Sequence, residues 1–299
     1  MHRQPVNIVW LKRDLRTQDH APLYAAQQAG LPCIILFLLE PDMMQAADTS
    51  LRHLQFQYLS VMAMNTALAT WGLQVTICHG SATDVMAWLA AHYHVQHVYS
   101  YRESGTQLTW NRDKAVAGLL AEQGISWVEF QRDGILRGIR DRVDWDAQWF
   151  ATMHQPALHN TYTPAMQVVV PHPFAVPPAL LQDLQAYPAT MQPPGEGYAW
   201  QYLQSFLQGR GRNYARHISK PQHSRRSCSR LSPYLAWGNI SIRQVYQQTR
   251  QHARLQTDKR PWQNFLARIK WHCHFIQKFE VECRYETECI NRGYEQMQW

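Results

Sequence analysis

The sequence predicts an open α/β domain built on a five-stranded parallel sheet, followed by an all-α, strongly basic region. Three observations carry that prediction. The first 130 residues alternate short apolar runs with helical patterns. Nine of the sixteen prolines then fall within residues 151–197. Beyond them the periodicity is helical only, and the charge reverses. Residues 1–150 hold 12 basic and 14 acidic side chains, whereas residues 151–299 hold 17 and 8. A length of 299 residues agrees with two domains rather than one.

Five runs read as strands: "VNIVWL" (6–11), "CIILFLL" (33–39), "LQVTICH" (73–79), "HVYSY" (97–101) and "ISWVEF" (125–130). Helical patterns lie between them, around 21–29, 51–70, 83–92 and 106–122. Strands separated by helices pair in parallel through right-handed crossovers, with both sheet faces covered. The expected domain, residues 1–132, is therefore Rossmann-like. It lacks a Gly-x-Gly-x-x-Gly turn and a Gly-x-x-x-x-Gly-Lys loop. In their place the first strand runs into "KRDLRTQDHAPL", which sets Arg13, Asp14, Arg16 and Asp19 at the carboxyl end, where open sheets bind ligands. The alternative is that these charges pair with one another and lock the turn.

Residues 133–197 read as a Pro-rich connector, of which 151–197 lacks convincing periodicity and is stiffened by Pro, draped over the first domain. Residues 198–299 carry helical patterns at "AWQYLQSFL", "SPYLAW", "SIRQVYQQTRQHA" and "PWQNFLARIKWHCHFIQKFE". Within residues 198–299 lies a basic block: residues 205–270 hold 14 Lys or Arg and one acid, Asp258. Such a block attracts a polyanion, nucleic acid foremost; a merely solvated basic face is the alternative.

Other classes find little support. The longest apolar run is too short to span a bilayer, so no membrane partner is expected. Six Cys without a Cys-x-x-Cys pair read as free thiols in a reducing, cytoplasmic setting. A metal site from His272, Cys273, His274, Cys283 and Cys289 is the less favoured reading. Neither Gly-x-Ser-x-Gly nor His-Glu-x-x-His occurs.

The stretch "CSRLSPYLAWGNIS" (228–241) reads as two helix starts. Ser232 suits an N-cap, Pro233 the first helical position, and Gly238 a left-handed ending. Ser241 with Gln244 forms a capping box. Ser229 and Arg230 are left over, placed for a phosphate ahead of a helix N-terminus.

Four collinear stretches resemble the DNA photolyase and cryptochrome family: "WLKRDLRTQD", "GEGYAWQYLQSFL", "SRLSPYLAWGNIS" and "RIKWHCHFIQ". The resemblance runs through nearly the whole chain. It implies an antenna domain for a reduced folate or deazaflavin chromophore, then a helical domain that holds FAD. The implied activity is light-driven electron transfer from reduced FAD to a pyrimidine dimer flipped out of DNA; a cryptochrome photoreceptor without repair, or a flavin-free DNA-binding remnant, are the alternatives. A monomer at full length is expected.

Residue by residue, the resemblance implies FAD contacts from Tyr214, Cys228, Ser229, Arg230, Leu231 and Ser232. Cys228 stands where many members have Thr, and a thiol donates hydrogen bonds poorly. On the later helix Arg268, Trp271, His272 and Phe275 are the implied lesion and DNA contacts, with Trp271 as a stacking plane. A core role for Trp271 is its alternative. Arg268 and His272 replace the Glu and Arg usual in repair members, which implies a divergent subfamily. The family continues for about another helical domain, so the FAD-binding domain is expected to be truncated here and to lack the groups around the flavin ring. No catalytic residue is assigned.

Overall fold

A computed structural model describes residues 3–168 and 170–298; Trp299, the last residue of the expected helical domain, lies outside them, as do Met1 and His2. Five strands, β1 (Pro5–Leu11), β2 (Cys33–Leu39), β3 (Val75–His79), β4 (His94–Tyr101) and β5 (Ser126–Phe130), form one sheet. Every pairing is parallel and the order is β3-β2-β1-β4-β5. Helices α1 (Ala21–Gln28), α2 (Pro41–Met44), α3 (Leu51–Leu68), α4 (Ala82–His92) and α5 (Gln107–Glu122) provide the crossovers.

The alternation along β1 shows why the sheet must be covered twice. Val9 and Leu11 face one core with α1 and α3, while Val6, Ile8 and Trp10 face another with α4 and α5. All seven residues of β2 are buried, which matches its unbroken apolar run.

The connector is more structured than its prolines suggest. It contains α6 (Trp145–His154), to which no helix is assigned from the sequence, and α7 (Pro178–Gln185), within the stretch 151–197 expected to be aperiodic. Trp145, Trp149 and Met153 fall four residues apart on one helical face, and all three are buried in the core of the helical region. In α7, Pro178 sits where helix N–H groups have no partner anyway, and Leu184 packs on the sheet domain. Between the two helices, Tyr162 and Met166 pack on one sheet face and Val168 and Val170 on the other.

The helical region follows as α8 (Glu196–Gln208), α9 (Tyr214–His217), α10 (Pro221–Ser227), α11 (Ser232–Ala236), α12 (Ile242–Arg254) and α13 (Arg260–Val281). The Ser241 capping box forms: the Gln244 N–H donates to Ser241 Oγ at 2.9 Å, and the Ser241 N–H to Gln244 Oε1 at 2.8 Å. Ser232 does not cap. It is the first residue of the five-residue α11, and its side chain makes no cap hydrogen bond.

The two regions are locked through the charged loop after β1. The Leu15 N–H donates to the Trp237 carbonyl at 3.0 Å, Asn239 Nδ2 to the Leu15 carbonyl at 2.9 Å, and Arg16 Nη1 to the Gly238 carbonyl at 3.1 Å. Asp19 accepts from Ser241 and Arg243 of the helical region and from the Leu158 N–H of the connector. Glu196 of α8 accepts from the Thr17 N–H and hydroxyl at 2.7 and 2.8 Å. These loop charges therefore do not mainly pair with one another: Arg13 goes to Glu103, Asp14 to His20 and Asp19 to Arg243. Among the described residues no helix is long and apolar enough to cross a membrane.

Candidate functional site

The residues around 210–232 form a loop system whose backbone is held by a single guanidinium. Arg210 donates to the carbonyls of Tyr202, Arg226, Cys228 and Ser229 at 2.6 to 3.3 Å, and to Ser205 Oγ at 3.1 Å. Five donors in a planar fork suit this stapling role, which no short motif in the sequence announces. The staple fixes Cys228 and Ser229 from the backbone side. Their side chains are not consumed by it.

The six candidate flavin residues separate by environment. Tyr214 is buried, with its ring edge-on to Phe206 and Phe265 at 5.6 Å each. Burial pushes its phenol up to about 12, opposed in part by the Arg268 charge. Among the described residues its hydroxyl, the Ser232 hydroxyl and the Cys228 thiol make no hydrogen bond, and Ser229 Oγ only accepts, from the Leu231 N–H at 3.4 Å. Leu231 is a core residue. Arg230 has φ +60 and turns toward the connector, where it exchanges hydrogen bonds with Gln192 at 2.7 and 3.2 Å. Hydroxyls with donors to spare suit the phosphates and ribose of a dinucleotide such as FAD; burial raises the Cys228 thiol, which keeps it neutral and a weak donor.

On α13, Arg268, Trp271 and Phe275 share one face, as spacings of three and four residues require. The Arg268 guanidinium lies 4.2 Å from the Trp271 ring centre, and Phe275 stands edge-on to Trp271 at 6.2 Å. Trp271 is 49% exposed and Phe275 60%, so neither is a core ring. The opposite face of the helix, with Trp262, Phe265, Ile269 and Cys273, supplies the core contact instead. His272 turns away from Trp271. It is half-buried, and burial lowers its pKa, with Asp133 and Arg132 as the charges that reach it.

The metal reading fails on geometry. Among the described residues no group of three His, Cys, Asp or Glu side chains is placed to hold an ion. Cys273 is buried and donates to the Asp133 carbonyl, while Cys283 and Cys289 are exposed.

A cavity of about 310 Å³ opens at the carboxyl ends of β1, β2 and β4. Its wall is a buried ionic network. Lys12 pairs with Asp113 at 3.1 Å, Arg112 with Glu40 at 2.9 Å and Glu103 at 2.7 Å, and Arg13 with Glu103 at 2.8 Å. Burial alone would raise the Glu103 carboxyl, but Arg112, Arg13 and Lys12 hold it well below the usual range. Lys12 and Arg112 also sit over the Trp10 ring, at 4.3 and 4.9 Å. This is the position that strand order assigns to ligands of open α/β sheets.

Comparison with known proteins agrees with the fold. The family model described as DNA photolyase matches residues 7–160, just over half of the chain. The deoxyribodipyrimidine photo-lyase of Synechococcus sp. (strain PCC 6301) is 26% identical over 298 residues, covering 91% of this chain and 60% of that protein. An uncharacterized 31.6 kDa protein of Synechococcus sp. (strain PCC 6716) is 26% identical over 282 residues, covering 88% of this chain and 98% of its own length. The crystal structure of a bacterial class III photolyase from Agrobacterium tumefaciens superposes with a TM-score of 0.76 at 21% identity, over all of this chain and 64% of that one. The chain thus spans somewhat less than two thirds of the photolyases it matches. With a matching family model over the sheet domain and the first part of the connector, just over half of its length, this chain belongs to the DNA photolyase family.

Proposed function

We propose that this chain is a photolyase-type flavoprotein that binds FAD and DNA and acts in light-driven repair of pyrimidine dimers. The observation that carries the reading is the position of Tyr214. Its buried ring packs on Phe265 of α13, and its hydroxyl lies near Cys228 and within reach of the Arg268 charge. Arg268 also lies 4.2 Å from the Trp271 ring centre, so it links the hydroxyl-rich loop to the exposed Trp271 face, and a cofactor on the loop would lie near a base on the ring.

In this reading Tyr214, Cys228, Ser229 and Ser232 hold the phosphate and ribose end of FAD, with Arg210 fixing the loop behind them. When bound, reduced FAD supplies the light-excited electron that splits a pyrimidine dimer. Trp271 and Phe275 offer apolar planes to a flipped base, and a damaged pair costs less to unstack. The basic block attracts the phosphate backbone, so DNA affinity should fall steeply with salt. The cavity at the sheet's carboxyl end is the place for an antenna chromophore, a reduced folate or a deazaflavin.

Trp271→Ala is expected to weaken binding to dimer-containing DNA about tenfold, the lower range of one lost base–aromatic stack, with little effect on undamaged duplex. Equilibrium binding to both DNAs checks this. Repair itself is tested by exposing dimer-containing DNA and the flavin-loaded protein to blue light. Restored intact pyrimidines support repair; flavin photoreduction without restoration supports the photoreceptor alternative.

A further inference from the structure

Another cavity, of about 380 Å³, lies at the outer edge of the sheet, where α5 packs beside the edge strand β5. It falls in the size range of small-ligand sites. No residue that lines it also lines the cavity at the carboxyl ends of β1, β2 and β4. Helical and strand periods build its two walls. On α5, Trp110, Lys114, Ala117 and Ala121 follow one another at three- and four-residue spacing, and the two alanines leave that wall low. On β5, Trp127 and Glu129 are two residues apart and so stand on one face of the strand.

The two indoles are held differently. Trp127 is fixed: its Nε1–H donates to Ser100 Oγ at 3.0 Å, and its ring centre lies 5.7 Å from that of Trp10. Trp110 is 46% exposed, and the Arg137 guanidinium, itself paired with Glu280 of α13 at 3.5 Å, lies 4.5 Å from its ring centre. One rigid and one exposed indole offer planes to a flat ring. Glu129 sets the polar requirement. Its Oε1 is buried and, among the described residues, has no hydrogen-bond partner, while Oε2 lies 4.0 Å from Arg102 Nε. A buried carboxylate oxygen without a donor is costly. Asp113, the other carboxylate on the wall, is already satisfied by Lys12 and Arg112. The donor that suits Glu129 is a neutral N–H rather than a cation, because Arg137 and Lys114, at 4.5 and 5.9 Å from the Trp110 ring centre, already bring positive charge to the cavity.

We propose that this cavity binds a guanine nucleoside, with its base on the Trp127 and Trp110 planes and its Watson–Crick edge on Glu129. Guanine presents two parallel donors on that edge, N1–H and the 2-amino group, which match one carboxylate. Adenine sets a donor beside an acceptor there, and its N1 lone pair would face the carboxylate. The site is independent of the flavin reading, since none of Tyr214, Cys228, Ser229, Ser232 and Trp271 lines it.

The test titrates the purified full chain with guanosine, inosine and adenosine by calorimetry, with no flavin added. One guanosine per chain is expected. Inosine, which keeps N1–H but lacks the amino group, should bind about tenfold more weakly, and adenosine about a hundredfold more weakly. Trp110→Ala and Glu129→Gln should each weaken guanosine about tenfold, and Glu129→Gln should also narrow the gap between guanosine and adenosine. No guanosine binding, or binding indifferent to either substitution, overturns the site. Adenosine bound as tightly as guanosine overturns the guanine assignment. Trp110 is exposed, so Trp110→Ala keeps the fold and decides the site even if Glu129→Gln unfolds.

Discussion

Gly238→Ala is expected to cost roughly 3 kcal/mol or more of folding stability, from about 1–2 kcal/mol of left-handed strain plus the cost of a forced contact. Gly238 has φ +71, and a Cβ there would lie 2.2 Å from the Arg13 carbonyl oxygen and 2.6 Å from the Asp14 Cα. Both are backbone atoms, so no side chain can swing aside. The loop after β1 would have to move, together with the Arg16 and Leu15 bonds that tie it to residues 237–239. Denaturant unfolding of the variant and the parent measures the loss. Gly118→Ala is the control: Gly118 lies within α5 with nothing within 4 Å of a new Cβ, so the same change should stabilise by about 0.5–1 kcal/mol.

Asp19→Ala is expected to destabilise by about 3–5 kcal/mol, the range for removing one partner of a buried ion pair. Asp19 is buried and accepts from Ser241 and Arg243, with the Arg16 guanidinium beside it. Burial would raise its carboxyl, but the Arg243 and Ser241 hydrogen bonds and the Arg16 charge outweigh burial and hold it below the ordinary 3.8. The folded carboxyl therefore titrates below the unfolded one. Its contribution is complete above about pH 4 and is lost as pH falls through the folded value. Stability of the parent should decline in acid below that point, and Asp19→Asn should show a shallower decline. Stability measured from pH 7 down to pH 2 in both proteins decides it.

The sheet was legible because each strand is a short apolar run set off by polar helices, and periodicity is a local property. The bounds of β2 were readable to the residue, since Cys33–Leu39 is buried on both faces and carries no polar interruption. Helix α7 was hidden by the prolines around it, whereas Trp145, Trp149 and Met153 at four-residue spacing were a usable signal for α6. The partners of Arg16 and Asp19 were not readable at all. Gly238 and Arg243 lie more than 220 residues away, and nothing local encodes that meeting. For the site, the motif order identified the loop and the α13 face. It could not tell that Arg230 turns toward Gln192, that Leu231 enters the core or that Arg210 staples the loop, because those depend on which side of a crowded backbone each side chain emerges. Ser232 looked like a cap by residue type, yet the helix begins on it rather than after it.

The most direct test of the flavin reading is the absorption spectrum of the purified chain after incubation with FAD and dialysis. Retained blue absorbance at close to one flavin per chain is expected, with flavin affinity reduced at least tenfold by Arg210→Ala, which frees the loop backbone, and by Ser229→Ala with Ser232→Ala. A folded chain that emerges colourless, or one whose flavin is indifferent to all three substitutions, would contradict it.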